Sequence, residues 1–293
     1  MSGAATTDRH HRQMPARSRP FAQVDVFSVE PYLGNPVAVV LDAEGLTTEE
    51  MQRFAAWTNL SETTFVVPAT SGDADYGLRI FTPGRELPFA RHPTLGSAHA
   101  WLEAGGTPAQ PDRVVQECAG GLVELRRAGA ELAFAAPPLI RSGELDVATQ
   151  ERVLASLRLG SDDVVASQVV DNGPGWVAVL LPSADAVLAV EPDPLLISEL
   201  MVGVVGPYPD GSPQAFEVRG FAGAVGVPED PVTGSLNAGL GQWLIGSGRA
   251  PERYVAGQGA RVGRRGEVTV ERRDGEVWVG GASVTCIRGT VLL

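Results

Sequence analysis

The chain carries one short pattern twice. In LPFARHPTLGSAHAWL (residues 87–102) and VPEDPVTGSLNAGLGQWL (residues 227–244), Pro93, Gly96, Ser97, Ala100 and Leu102 align with Pro231, Gly234, Ser235, Ala238 and Leu240. His92 then aligns with Asp230. Two other matches keep nearly the same spacing. VAVVL at 37–41 returns as VAVLL at 177–181, and Arg79 and Phe81 return as Arg219 and Phe221. The separations are 140 residues between 37 and 177, 140 between 79 and 219, and 138 between 96 and 234. Ordered matches at a near-constant offset predict two homologous halves, each combining strands with a helix whose N-terminus carries the shared motif.

Local patterning places the elements. Alternation predicts a strand over 21–29, followed by a Gly34-Asn35-Pro36 turn and a buried strand over 37–41. Thr47 and Glu50 form a capping box that opens a helix to about Trp57. Strands are expected at 62–67 and 76–81, a helix from about Pro93 to Glu103, and a hairpin over 113–134. A helix follows at about 147–158, and two or three strands close the chain over 267–293. Residues 1–20 are polar and lack an apolar segment, so they read as a disordered tail with solvated His10 and His11 rather than a secretory signal. The expected domains are 21–136 and 137–293, joined near Ala135-Ala136-Pro137-Pro138, with the last strand, about 282–293, free to return to the first domain.

The duplicated motif has a chemical reading. Proline suits the first turn of a helix, because its missing N–H costs nothing there. Glycine and serine let a ligand approach the backbone, and the free amides favour an anion. Two such helix starts facing each other across a cleft can grip a small anionic metabolite. The alternative is that both motifs are only helix caps of a duplicated scaffold, with Asp230 as an N-cap. His92 has the imidazole suited to acid–base work. Glu62, at the mouth of an apolar strand, is a carboxyl whose pKa burial would raise. Glu229 reads as a solvated charge and His99 as structural.

Composition removes other chemistries. All 23 basic residues are arginine, which excludes Schiff-base chemistry and a phosphate-loop lysine. Only His92 and His99 lie beyond the tail, which rules out a three-histidine metal centre; no metal is expected. A formal charge of −12 argues against nucleic acid and anionic membranes as partners. No segment approaches the roughly 20 apolar residues of a membrane span. Cys118 and Cys286, in strand-like contexts, read as core thiols of a cytoplasmic protein.

Several stretches together resemble the PhzF family of phenazine-biosynthesis isomerase-like proteins. They are DVFSVEPYLGNPVAVVLDAEGLTTEEMQRFAAWTNLSETTFV at 25–66, RIFTPGRELPFARHPTLGSA at 79–98, EDPVTGSLNAGL at 229–240 and GQGARVGRRGEV at 257–268. The resemblance implies an α+β, diaminopimelate-epimerase-like fold: two pseudo-symmetric domains, each a curved, mostly antiparallel sheet around a central helix. It implies a homodimer and no cofactor. It assigns the proton shuttle to Glu62, with Asp230 and His92 beside it. Substrate binding falls to the two helix starts, through Ser235, Gly234, Thr233, Arg91, Pro93 and Gly96. Racemases of the wider group use two cysteines at the equivalent helix starts, and neither is present. Two departures stand out: Arg91 where the family has glycine, and Gly223 where many members have proline. The expected activity is a cofactor-independent isomerase that moves a proton and a double bond on a small carboxylate-bearing metabolite in specialised metabolism. An amino- or hydroxy-acid epimerase, or a non-catalytic metabolite-binding protein, is the alternative.

Overall fold

The computed structural model describes residues 16–129 and 131–293. The first half contains the strands Ser18–Val26, Asn35–Val40, Thr63–Val67, Tyr76–Phe81, Arg113–Cys118, Gly121–Ala128 and Glu131–Ala135. The second contains Ala166–Asp171, Val177–Leu180, Met201–Pro207, Phe216–Ala222, Arg253–Gln258, Gly266–Arg273 and Glu276–Gly281. Within each half, successive strands pair antiparallel, parallel, antiparallel, parallel, antiparallel and antiparallel. The duplication seen in the sequence is therefore a duplication of topology. The last strands of the two halves pair with each other, from Leu132 opposite Gly281 to Ala135 opposite Trp278. The closing strand Ser283–Leu292 crosses back and pairs antiparallel with Ser18–Val26.

The helices repeat as well. Helix α1 (Thr48–Thr58) fills the parallel crossover between second and third strands of the first half. Helix α2 (Arg91–Glu103) fills the crossover between its fourth and fifth. After α3 (Val147–Leu157), helices α4 (Ala184–Ala189) and α5 (Gly234–Gly246) occupy the corresponding crossovers of the second half. In α2 every residue from His92 to Ala98 is buried, and in α5 every residue from Leu236 to Gly241. A helix buried all round has no polar stripe, which is what a sheet wrapped around a central helix requires. Gly96 permits that wrap: a Cβ there would lie 2.4 Å from Val37 Cγ1 and 2.9 Å from Val26 Cγ2.

The repeated Arg-x-Phe motif is a matched clamp. Arg79 pairs bidentately with Glu86 at 2.7 Å and lies 5.2 Å over Phe81. Arg219 pairs with Glu229 at 3.0 and 2.8 Å and lies 5.0 Å over Phe221. Each clamp ties the fourth strand to the segment that leads into the central helix. Glu229 is thus the half-buried partner of the buried Arg219, correcting the expectation of a solvated charge.

Other expectations are corrected too. The first strand starts at Ser18 and ends at Val26, so the last residues of the expected tail are in the sheet. Its end coincides with Phe27, whose φ of 65° leaves the extended region. Residues 1–15, with His10 and His11, lie outside the described residues. Asn35 and Pro36 belong to a strand rather than a turn. The hairpin over 113–134 is a three-stranded meander. Pro137, in the expected linker, is tied down through its carbonyl, which accepts from Gln242 Nε2 at 2.9 Å. Cys118 and Cys286 are half-buried rather than core, because each lies on a strand with one face open. No helix among the described residues is long and apolar enough to cross a membrane.

Candidate active site

The two central helices begin beside one another. A Cβ on Gly234 would lie 3.1 Å from the Cβ of Arg91. Helix α2 starts at Arg91, two residues before Pro93, so proline is the third helical residue. Its missing N–H falls in the first turn, where no intrahelical acceptor exists. The amides of Arg91 and His92, and those of Gly234, Ser235 and Leu236, donate to no described acceptor. Two sets of free N–H groups therefore meet at the junction of the halves, where they favour an anion.

The three proposed acid–base residues converge there from three segments. Glu62 precedes the Thr63–Val67 strand, His92 is in the first turn of α2, and Asp230 ends the short strand Val227–Asp230 before α5. Glu62 Oε2 lies 3.4 Å from His92 Nε2. Both atoms are buried, and neither has a hydrogen-bond partner among the described residues. Burial pushes the Glu62 carboxyl up to about 8, and the Asp230 carboxylate adds to the rise. Burial pushes His92 down to about 4, opposed by a hydrogen bond from the ring to the Pro36 carbonyl. His92 Nε2, which has no partner among the described residues, is the ring nitrogen that faces Glu62. At neutral pH the pair is a carboxylic acid beside a neutral imidazole.

Asp230 is held differently. Its oxygens accept from Thr233 Oγ1 at 2.6 Å and from Asn35 Nδ2 at 3.1 Å. Burial raises it to about 6, and these two donors hold the rise back. The N-cap of α5 is Thr233, and no backbone N–H reaches the Asp230 side chain, so capping does not explain the aspartate. Gln258 locks the arrangement: its Oε1 accepts from the Thr233 amide at 3.0 Å and from Asn237 Nδ2 at 2.9 Å. Its Nε2 donates to Thr233 Oγ1 at 2.9 Å. Asn35 Nδ2 also donates to the Val232 carbonyl at 2.8 Å, which fixes the aspartate to the first half.

On the other flank, Ser235 Oγ accepts from Trp176 Nε1 at 2.9 Å. Its own proton remains free for a ligand. The Ser235 carbonyl accepts from Asn172 Nδ2 at 2.9 Å. Arg91 has an ordinary helical backbone, so replacing glycine creates no φ strain. Its guanidinium crosses between the halves, donating to Asn172 O at 3.1 Å and Oδ1 at 3.0 Å.

The helix starts thus gather Glu62, His92, Asp230, Thr233, Gly234, Ser235, Arg91 and Pro93. Gly96 stands apart: its Cα face packs α2 onto the sheet, against Val37 and Val26. Asn35, Gln258, Asn172 and Trp176 were not singled out from the sequence. Asn35 and Gln258 had a signal, since each is a polar residue beside glycine in a strand-like stretch. Asn172 and Trp176 sit in Asp-Asn-Gly-Pro-Gly-Trp, which reads as an ordinary turn.

Comparisons with known proteins bear on the family and the fold. The phenazine biosynthesis-like protein family, PhzC-PhzF, matches residues 24–289. The chain is 37% identical over 288 residues to antisense-enhancing sequence 1 of Schizosaccharomyces pombe, covering 92% of this chain and 97% of that protein. It is 34% identical over 281 residues to trans-2,3-dihydro-3-hydroxyanthranilate isomerase of Pseudomonas chlororaphis, covering 92% and 98%. A PhzF-family crystal structure from Bacillus anthracis superposes with a TM-score of 0.81 at 23% identity, covering 94% of this chain and 100% of that one. A hydroxyproline epimerase from Agrobacterium vitis shares the fold at a TM-score of 0.58 and 15% identity, covering 94% and 93%. With its duplicated topology, its paired helix starts and a family match across nearly all its length, the chain belongs to the phenazine biosynthesis-like PhzC-PhzF family, a family of isomerases.

Proposed function

We propose that the protein is a cofactor-independent isomerase that shifts a proton, and with it a double bond, along a small unsaturated carboxylic acid, using Glu62 as the shuttle. One observation carries the reading. Glu62 is the acidic side chain at the helix junction that no described group holds, whereas both oxygens of Asp230 are engaged. A proton shuttle must be free to give and take, and a carboxyl raised to about 8 is, once ionised, a stronger base towards a carbon acid than an ordinary carboxylate.

The substrate carboxylate docks on the free amides of α5 and the Ser235 hydroxyl. The Glu62 carboxylate, roughly a tenth of the population at pH 7, takes a proton from the carbon next to the double bond. The electron pair released from that C–H bond spreads through the conjugated system into the docked carboxylate, whose growing charge the amides stabilise. Glu62, now protonated and exchanging its proton with solvent, delivers a proton to the far end of the system, and the double bond settles between the other two carbons. His92, neutral, accepts a hydrogen bond from the protonated carboxyl and steadies it between the two positions. Asp230, held by Thr233 and Asn35, keeps its charge beside Glu62 and faces a cationic or hydroxyl group of the substrate.

An epimerase needs a second free base on the opposite face of the substrate. The hydrogen bonds on Asp230 disfavour that role. The 34% identity to a dihydrohydroxyanthranilate isomerase supports double-bond migration, and specialised metabolism as its setting. Incubating wild type and Glu62→Gln in D2O with small unsaturated amino and hydroxy acids, dihydrohydroxyanthranilate included, tests the reading by NMR. Deuterium uptake in wild type alone supports it. Uptake that survives in Glu62→Gln overturns the assignment of the shuttle.

A further inference from the structure

Arg91 is a largely enclosed cation without a counter-ion among the described residues. No carboxylate among the described residues forms a salt bridge with it. Its two hydrogen bonds go to neutral acceptors, the backbone carbonyl and side-chain oxygen of Asn172. Its Nε is buried with no partner. Burial alone accounts for the lowering of its pKa to about 10, with no neighbouring charge opposing it, so it remains a guanidinium at neutral pH. Elsewhere in the fold a buried arginine is matched: Arg219, in the same kind of setting, has Glu229.

The guanidinium is also held in place. Asn172 is pinned by its own bond to the Ser235 carbonyl, so the side chain that receives Arg91 cannot swing away. The Phe89 ring lies 5.6 Å from the Arg91 guanidinium carbon. Burying a charge is costly unless it is paired, and a fixed, desolvated fork with a free Nε is shaped to receive a carboxylate. The free amides of α5 and the Ser235 hydroxyl already supply a seat for one carboxylate. Arg91 is one positive charge beyond that seat.

We propose that Arg91 selects a substrate with two acidic groups, the first on the α5 amides and Ser235 and the second on the Arg91 guanidinium. This rests on the reading of the helix junction as the substrate site. It adds a substrate class: small unsaturated dicarboxylates, or amino acids carrying a second acid.

A matched pair of probes tests it. Trans-2-pentenoate and trans-glutaconate differ only in a terminal methyl replaced by carboxylate. Isothermal titration of the wild-type protein is expected to give glutaconate a Kd at least about tenfold below that of pentenoate, the scale of a charge-assisted pair. In Arg91→Gln, which keeps a donor for Asn172 but loses the charge, the ratio is expected to fall close to one. Equal affinities in wild type, no glutaconate binding, or a preference that survives Arg91→Gln overturns the proposal. The first two outcomes need no variant, so a misfolded Arg91→Gln does not shield it. Binding is read without turnover. A dicarboxylate preference with no proton exchange on any acid would sink the isomerase reading and leave Arg91 standing. Exchange on monoacids with no preference would do the reverse.

Discussion

The raised pKa of Glu62 has a consequence for stability that does not depend on knowing the substrate. Burial moves this carboxyl from 4.5 in the unfolded chain to about 8 in the folded protein. The sign follows from proton linkage. Below pH 4.5 both states hold the proton and Glu62 costs nothing. Between pH 4.5 and 8 the unfolded chain ionises while the folded protein does not, so stability is lost as pH rises through that window. At ~1.4 kcal/mol per pH unit, the loss by pH 7 would reach about 3 kcal/mol for an unyielding site. Relaxation of the surroundings trims it, and about 1–3 kcal/mol is the expected range. Glu62→Gln keeps the shape and removes the titration. Urea unfolding of both proteins should show the variant more stable by about 1–3 kcal/mol at pH 7.5, with the difference shrinking towards zero near pH 4.5. A pH-independent difference, or a variant that loses stability at high pH, would refute the claim that Glu62 is buried and protonated at neutrality.

Two further expectations concern the frame around the site. Gly96→Ala places a methyl 2.4 Å from Val37 Cγ1, and overpacking of that kind costs ~1–3 kcal/mol; thermal melts should show a clear drop, and an unchanged midpoint would mean that α2 does not need this close approach. Arg219→Gln strands Glu229 in a pair whose side chains are 4% and 12% exposed, and should cost ~3–5 kcal/mol. Arg79→Gln breaks the matching clamp, 29% and 32% exposed, and should cost only ~1 kcal/mol or less; equal losses in denaturant would show that burial does not separate the two clamps.

The sequence made the duplication legible because the repeated residues have no easy substitutes. Arg79 and Arg219 must each clamp a glutamate and stack on a phenylalanine two positions on. The joint between the halves was not legible, since Glu131–Ala135 pairs with Glu276–Gly281 across a separation that leaves no local signal. The start of α2 was misplaced because Ala90 offers no capping side chain to mark it. Glu229 was misread because its partner lies ten residues earlier on a neighbouring strand. Within the site, the ionisable residues were visible from their types and positions. Asn35 and Gln258 left only the weak signal of a polar residue beside glycine, because a buried amide declares its role only through the groups it meets in three dimensions.

The central claim is that a single carboxyl removes a proton from one carbon and delivers a solvent-exchanged one to another. The position of deuterium in the product tests it most directly. Wild-type protein would be incubated in D2O with an acid that it turns over, and the product analysed by NMR at an early stage of reaction. The account predicts deuterium at the far end of the shifted double bond, at a carbon that bore no exchangeable proton in the starting acid, with that uptake lost in Glu62→Gln. Deuterium confined to one stereocentre, with the double bond unmoved, would contradict it and point to an epimerase with a second base.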